Sequence, residues 1–136
     1  MTEATIGYGT QIRVGVGVGP TWTTIAELGD VEWPMAEADE HEATSMDSPN
    51  RTKEYIQGMI DNGEVTIPLN WVPGGATDTV LKAILASGEL VQVEFTDNSV
   101  GATPETYVGF CKRYSRTSPV NGVKKAEAGF RINGTV

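Results

Sequence analysis

Glu40-His41-Glu42 is the place in this chain where residue types and spacing could do acid–base chemistry. Side chains alternate along an extended backbone, so Glu40, Glu42 and Thr44 would share one face and His41 and Ala43 the other. Two adjacent carboxylates could serve as a general acid and base, or hold a hard cation. A metal site draws ligands from several segments, however, and the only histidine falls on the opposite face. Seven carboxylates and no basic residue lie between Glu27 and Glu42, and a solvated acidic face is the better account of them. No catalytic, metal-binding or cofactor-binding residue is expected.

Other chemical motifs fare no better. Cys111 is the single cysteine, which excludes an internal disulfide and a cysteine zinc cage. With only His41 as a basic partner, it reads as a small, half-buried strand residue. Gly15-Val-Gly-Val-Gly-Pro20 lacks the G-x-G-x-x-G spacing of a phosphate loop and ends in a turn. Trp22, Trp33 and Trp71 are candidate platforms for a peptide or sugar, but core or interface anchors are the favoured reading.

The elements that must position these residues are mostly strands. Tyr8 to Val18 alternates, with Ile12, Val14, Val16 and Val18 on one side and Arg13, Gly15 and Gly17 on the other. Ile25 to Trp33 is expected to continue as strand, broken at Gly29-Asp30 and stopping at Pro34. Glu64 to Val72 alternates with Val65, Ile67, Leu69 and Trp71 inward, and Pro68 marks an edge or bulge. The period then changes: Thr77 or Asp78 as N-cap, an apolar stripe at Val80, Leu81, Ile84 and Leu85, and Gly88 beyond the end predict a helix lying on the sheet. Strands at 89–96, 106–114 and 123–133 complete the pattern. The expectation is a single domain over 1–136: an antiparallel β-sandwich or partly closed barrel with one short helix on its side. Residues 1–6 would form a flexible N-terminal arm.

One stretch does not fit a small β-domain. Residues 44–63 are too long for a hairpin turn, yet carry Met46, Tyr55, Ile56, Met59 and Ile60, which need something to pack against. A long loop with apolar anchors suggests a surface for another copy of the chain. Contacts are expected from Met46, Asp47, Ser48, Pro49, Arg51, Glu54, Tyr55 and Met59, with Arg51 and Glu54 close enough to pair within or between copies.

Charge is divided along the chain in a way that suits either such a contact or acidic and basic strands lying side by side within one chain. The net charge is −8, yet residues 106–136 hold six basic groups against one acidic. Lys124, Lys125 and Arg131 are candidates to meet Glu40 and Glu42 of a neighbour, head to tail. The acidic total argues against phosphate-backbone binding. The N-terminus lacks a basic region and apolar core, and no apolar run approaches the roughly 18 residues of a membrane span. A cytosolic product with no membrane partner is expected.

The order of segments resembles the major tail tube proteins of long-tailed, lambda-type bacteriophages. The resemblance runs from Gly29-Asp-Val-Glu-Trp-Pro through Thr44-Ser-Met-Asp-Ser-Pro-Asn, Lys53-Glu-Tyr-Ile-Gln-Gly-Met and Asp61-Asn-Gly-Glu-Val-Thr-Ile to Asn70-Trp-Val-Pro, Gly109-Phe and Ser118-Pro-Val. Met46-Asp-Ser-Pro and Glu54-Tyr-Ile are its most specific parts. His41 and Ala43 depart from it, being less apolar than expected, and no immunoglobulin-like appendix follows Val136.

The resemblance implies a structural subunit without enzymatic activity or cofactor. Such a subunit would stack as hexameric rings into a tube through which DNA passes without specific binding. Its partners would be itself and the tape-measure, tail-tip and tail-terminator proteins, and its locations the host cytoplasm during assembly and then the virion tail. An inner-tube protein of a type VI secretion-like apparatus, or a small β-barrel binding module for peptide or sugar, are the alternatives.

Overall fold

Burial of every second residue builds the main sheet. The computed structural model describes residues 7–17, 19–98 and 103–135, so the expected arm at 1–6 lies outside the described residues. In chain order the elements are β1 (Gln11–Val16), β2 (Thr21–Thr24), β3 (Glu37–Glu42), a single 3-10 turn (Pro49–Arg51), β4 (Tyr55–Asp61), β5 (Glu64–Asn70), α1 (Ala76–Ser87), β6 (Val91–Thr96), β7 (Glu105–Thr117) and β8 (Lys125–Thr135). Six strands form one antiparallel sheet in the order β2-β1-β6-β7-β8-β5, while β3 and β4 pair apart from it.

The inner face of the sheet carries Ile12, Val14, Val65, Ile67, Leu69, Val91, Val93, Phe95, Cys111, Ala126, Ala128, Phe130 and Ile132, all buried. Leu81 and Ile84 of α1 close the core from the other side, and each side chain so buried is worth about 1.5–3 kcal/mol. Val80 is half-buried and Leu85 exposed, so the helix buries a narrower stripe than its apolar residues suggest. The fold is mainly β, with antiparallel sheets and one short helix, consistent with the expected β-sandwich. The segment after β2 reaches edge strand β5 at one bridge, Leu28 to Leu69, and the sheet does not close into a barrel. There the Gly29 N–H donates to the Pro68 carbonyl at 2.8 Å and the Asn70 N–H to the Glu27 carbonyl at 3.0 Å. Pro68 therefore sits on an edge strand, where its missing N–H costs no ladder bond.

Two local expectations change. Residues 25–33 hold a single bridge at Leu28 in place of the expected broken strand; Glu27, ahead of Gly29-Asp30, adopts a left-handed backbone (φ 53°) and ends the extension. Gly75, rather than Thr77 or Asp78, is the helix N-cap, and it offers no side-chain cap. Thr77 and Asp78 fall in the first turn and are buried. Gly88 ends the helix as expected, with φ 68° and its N–H on the Ile84 carbonyl at 3.0 Å.

β7 and β8 slip register at two points, and the first requires a glycine. A Cβ on Gly109 would lie 2.2 Å from the Arg131 carbonyl oxygen, so the two backbones approach as no side-chain-bearing residue would allow.

Candidate functional site

Exposed apolar side chains gather where the extended 44–63 stretch was expected to be loop. Seven residues of that stretch are strand: Tyr55–Asp61 pairs antiparallel with Glu37–Glu42, and only residues 43–54 connect them. None of the residues of β3 or β4 is buried, so this two-stranded arm contributes nothing to the core. Met46 is 102% exposed, Met59 86% and Tyr55 53%, with Ile56 and Ile60 also open. Alternation missed the second strand because its register slips between Ala38 and Glu40, which sets both Gly58 and Met59 against Asp39. The Asn62-Gly63 pair after it, with Gly63 at φ 75°, was the turn signal that marks a strand end.

The pairing sorts the arm into two faces. Glu40 lies opposite Gln57, Glu42 opposite Tyr55 and Ala38 opposite Ile60; His41 lies opposite Ile56 on the other side. The two glutamates thus share a face, as their spacing predicts, with Tyr55 and Ile60 beside them. Gly58 leaves room for the imidazole: a Cβ there would sit 2.6 Å from His41 Nε2. Both glutamates are exposed on a ribbon rather than in a cleft. Among the described residues, no three His, Cys, Asp or Glu side chains are placed to hold a metal ion.

The connector is folded on itself. Ser48 donates its hydroxyl to Glu54 at 2.9 Å, the Glu54 N–H donates to Thr44 Oγ1 at 2.9 Å, and the Ser45 N–H donates to Ser48 Oγ at 2.9 Å. Within one copy Arg51 and Glu54 form no ion pair among the described residues; Glu54 is held by Ser48, while Asn50 and Arg51 both take a left-handed backbone (φ 56°) in the 3-10 turn. Met46, Asp47, Pro49 and Arg51 are exposed around this turn and Ser48 is half-buried.

At its base the arm is tied to the body through Asp61. Its carboxylate accepts the Gly63 N–H at 2.9 Å and pairs with Arg131 at 2.7 Å; these two contacts, in that order, hold its pKa below the usual value. Asn62 Nδ2 donates to the Asn133 carbonyl at 3.2 Å. Arg131, expected to meet a neighbour, is therefore engaged within its own chain.

The other basic candidates lie at the far end of the β7–β8 ribbon. Lys125 Nζ donates to Asn70 Oδ1 at 2.9 Å, and Lys124 lies 5.7 Å from the Trp71 ring centre. Arg116, which sequence reasoning did not single out, stacks on the same ring at 5.8 Å. On the uncovered face of the large sheet two cations are matched by carboxylates, Arg13 forking onto Glu94 at 2.9 and 2.8 Å and Lys112 pairing with Glu64, whereas Arg113 donates to Thr66 Oγ1 at 2.9 Å.

The tryptophans do not assemble a platform. Trp22 lies under Arg13, Trp33 packs 5.6 Å from the Phe95 ring, and Trp71 donates its indole N–H to Asp78 at 3.1 Å. An open groove of about 720 Å³ beside Tyr8, Leu28, Asp30 and Asp97 includes only Trp33 among them. Cys111 is buried in the large sheet, away from the sheet that carries His41; burial raises its pKa, against a weaker opposite effect of its contact with the Arg113 carbonyl. No helix among the described residues is long and apolar enough to cross a membrane.

Residues 13–133 match the family model described as lambda phage tail tube protein. No curated protein matches the chain. Among solved structures, the fold is similar to a chain of the tail of an empty gene transfer agent particle, refined helically with C6 symmetry (TM-score 0.76, 17% identity, 96% of each chain covered). It is also similar to a chain of the anti-feeding prophage baseplate (TM-score 0.72, 9% identity, 100% of this chain and 96% of the other). The SPP1 tail tube is a third relative in fold (TM-score 0.66, 9% identity, 98% of this chain and 78% of the other).

Proposed function

The chain belongs to the lambda phage tail tube protein family, and on that premise we propose that it polymerises as stacked hexameric rings around a channel that conducts DNA. The observation that carries this reading is the arm. A two-stranded ribbon with exposed Met46, Tyr55, Ile56, Met59 and Ile60 and no share in the core is a surface in search of another protein. Met46, Asp47, Ser48, Pro49, Arg51, Glu54, Tyr55 and Met59 supply the contacts between copies, along the ring and between rings.

The uncovered face of the six-stranded sheet lines the channel in this reading, the sheets of six copies joining into one wall. Gln11, Arg13, Gln92, Glu94 and Thr96 alternate with the buried residues of β1 and β6 and so belong to that face. Two of its cations are already matched, Arg13 by Glu94 and Lys112 by Glu64, while Arg113 meets the Thr66 hydroxyl. A phosphate backbone passing it finds few free charges to displace its counterions, so DNA slides without being held. The role is structural and needs no enzymatic activity or cofactor. Tape-measure, tail-tip and terminator proteins are the other partners, met first in the host cytoplasm and then in the virion tail.

Negative-stain microscopy of concentrated protein, with and without seeded tail tips, tests the proposal. Tubes with a six-fold end view are expected. Monomers that persist under every nucleating condition would overturn it.

A further inference from the structure

Two ribbons extend from this protein with opposite charge. The arm, from Glu37 to Asp61, holds seven acidic and two basic residues, whereas the β7–β8 ribbon holds five basic and no acidic residues between Lys112 and Lys125. The tip of the second ribbon runs past its last pair, Thr117 with Lys125, and exposes Val120 (108%) and Val123. Only part of this charge is neutralised within the chain, Lys112 by Glu64 and Asp61 by Arg131. Among the described residues Glu40, Glu42, Arg116 and Lys124 take part in no ion pair, although Arg116 and Lys124 both rest on the Trp71 ring.

We propose that the Glu40–Glu42 face of the arm, with Tyr55 and Ile60, docks on the β7–β8 tip of a second copy. Arg116 and Lys124 oppose the two glutamates, and Val120 and Val123 cover the apolar part. The proposal rests on the tube-subunit reading and names the receiving surface. Like charges keep two arms from pairing with each other, so the contact is heterologous and repeats from copy to copy. Apolar burial holds it and charge sets its orientation.

Charge reversal tests the contact. E40K/E42K changes only exposed residues of the arm, and R116E/K124E changes only the tip; circular dichroism and thermal unfolding establish that each folds. If the glutamates disturb the Trp71 stack, K124E alone replaces the second variant. Each variant by itself is expected to need at least about tenfold more protein than wild type for tube growth, since a like-charge contact costs more than 1.4 kcal/mol. An equimolar mixture is expected to recover growth, because a reversed arm meets a reversed tip. Folded variants that polymerise at the wild-type concentration, or a mixture that does not recover, would overturn the contact. Wild-type protein that forms no tube would instead overturn the tube-subunit reading, and this contact with it.

Discussion

Asp78 ties three parts of the body together without acting as the helix cap its position suggests. Its carboxylate accepts the Tyr114 hydroxyl at 2.8 Å, the Gly74 N–H at 3.1 Å and the Trp71 indole at 3.1 Å, and pairs with Lys82 at 3.1 Å. Burial by itself would raise its pKa, but these four partners outweigh burial and hold the group well below the carboxylate range. A lowered folded pKa means that the stability it contributes is complete above the unfolded value of 3.8 and is lost as pH falls below it. Asp78→Asn is therefore expected to cost about 1.5–3 kcal/mol at pH 7, as for hydrogen bonds to a charged group, and to flatten the loss of stability in acid. Urea unfolding of both chains at pH 7 and pH 3 checks this; equal acid sensitivity would show that Asp78 is not the group responsible. Sequence placed Asp78 at the start of the helix to within a few residues. It could not show the partners, since Tyr114 is thirty-six positions away and is brought there only by β7.

At the scale of elements, the arm separates folding from assembly. Its strands bury nothing in the monomer, so substitutions on them act on what the arm touches elsewhere. Met59→Ser combined with Ile60→Ser is expected to leave monomer stability within about 0.5 kcal/mol, the usual range for exposed positions, while suppressing tube growth. Thermal unfolding and negative-stain counts of polymer measure the two effects; a large fall in stability would mean that the arm packs on its own body. The apolar residues of this element were legible as anchors without a core. Its strand character was not, because Tyr55, Ile56, Met59 and Ile60 are spaced as on a helix, and only the slipped pairing with β3 restores a strand. The sharing of a face by Glu40 and Glu42 was legible, since it follows from extended geometry alone.

Across the whole molecule, stability is unevenly distributed. The six-stranded sheet and α1 share one core, whereas the arm is attached at Asp61, Asn62 and Gly63. Amides of β3 and β4 are expected to exchange with solvent faster than those of β8 in the free subunit. In assembled tubes they are expected to slow by at least about tenfold, the equivalent of 1.4 kcal/mol of added protection. Hydrogen exchange followed by mass spectrometry reads both states. Arm amides that exchange equally fast in tubes would show that the arm is not part of the contact.

Local regularities in the sequence were enough for five of the six strands of the large sheet, β2 being the exception, and for the helix with its Gly88 stop, because period and turn chemistry are properties of neighbouring positions. The segregation of charge was also visible there. Which charges remain available was decided only by the tertiary structure. Arg131 is taken by Asp61, Lys112 by Glu64 and Arg13 by Glu94, partners at least forty-eight positions away along the chain. Among the described residues Arg116 and Lys124 take part in no ion pair; β7 carries Arg116 beyond its pairing with β6, Lys124 lies just outside the last β7–β8 pair, and both rest on Trp71. Pairing across a sheet depends on strand order and register, and neither is a property of any short stretch of chain.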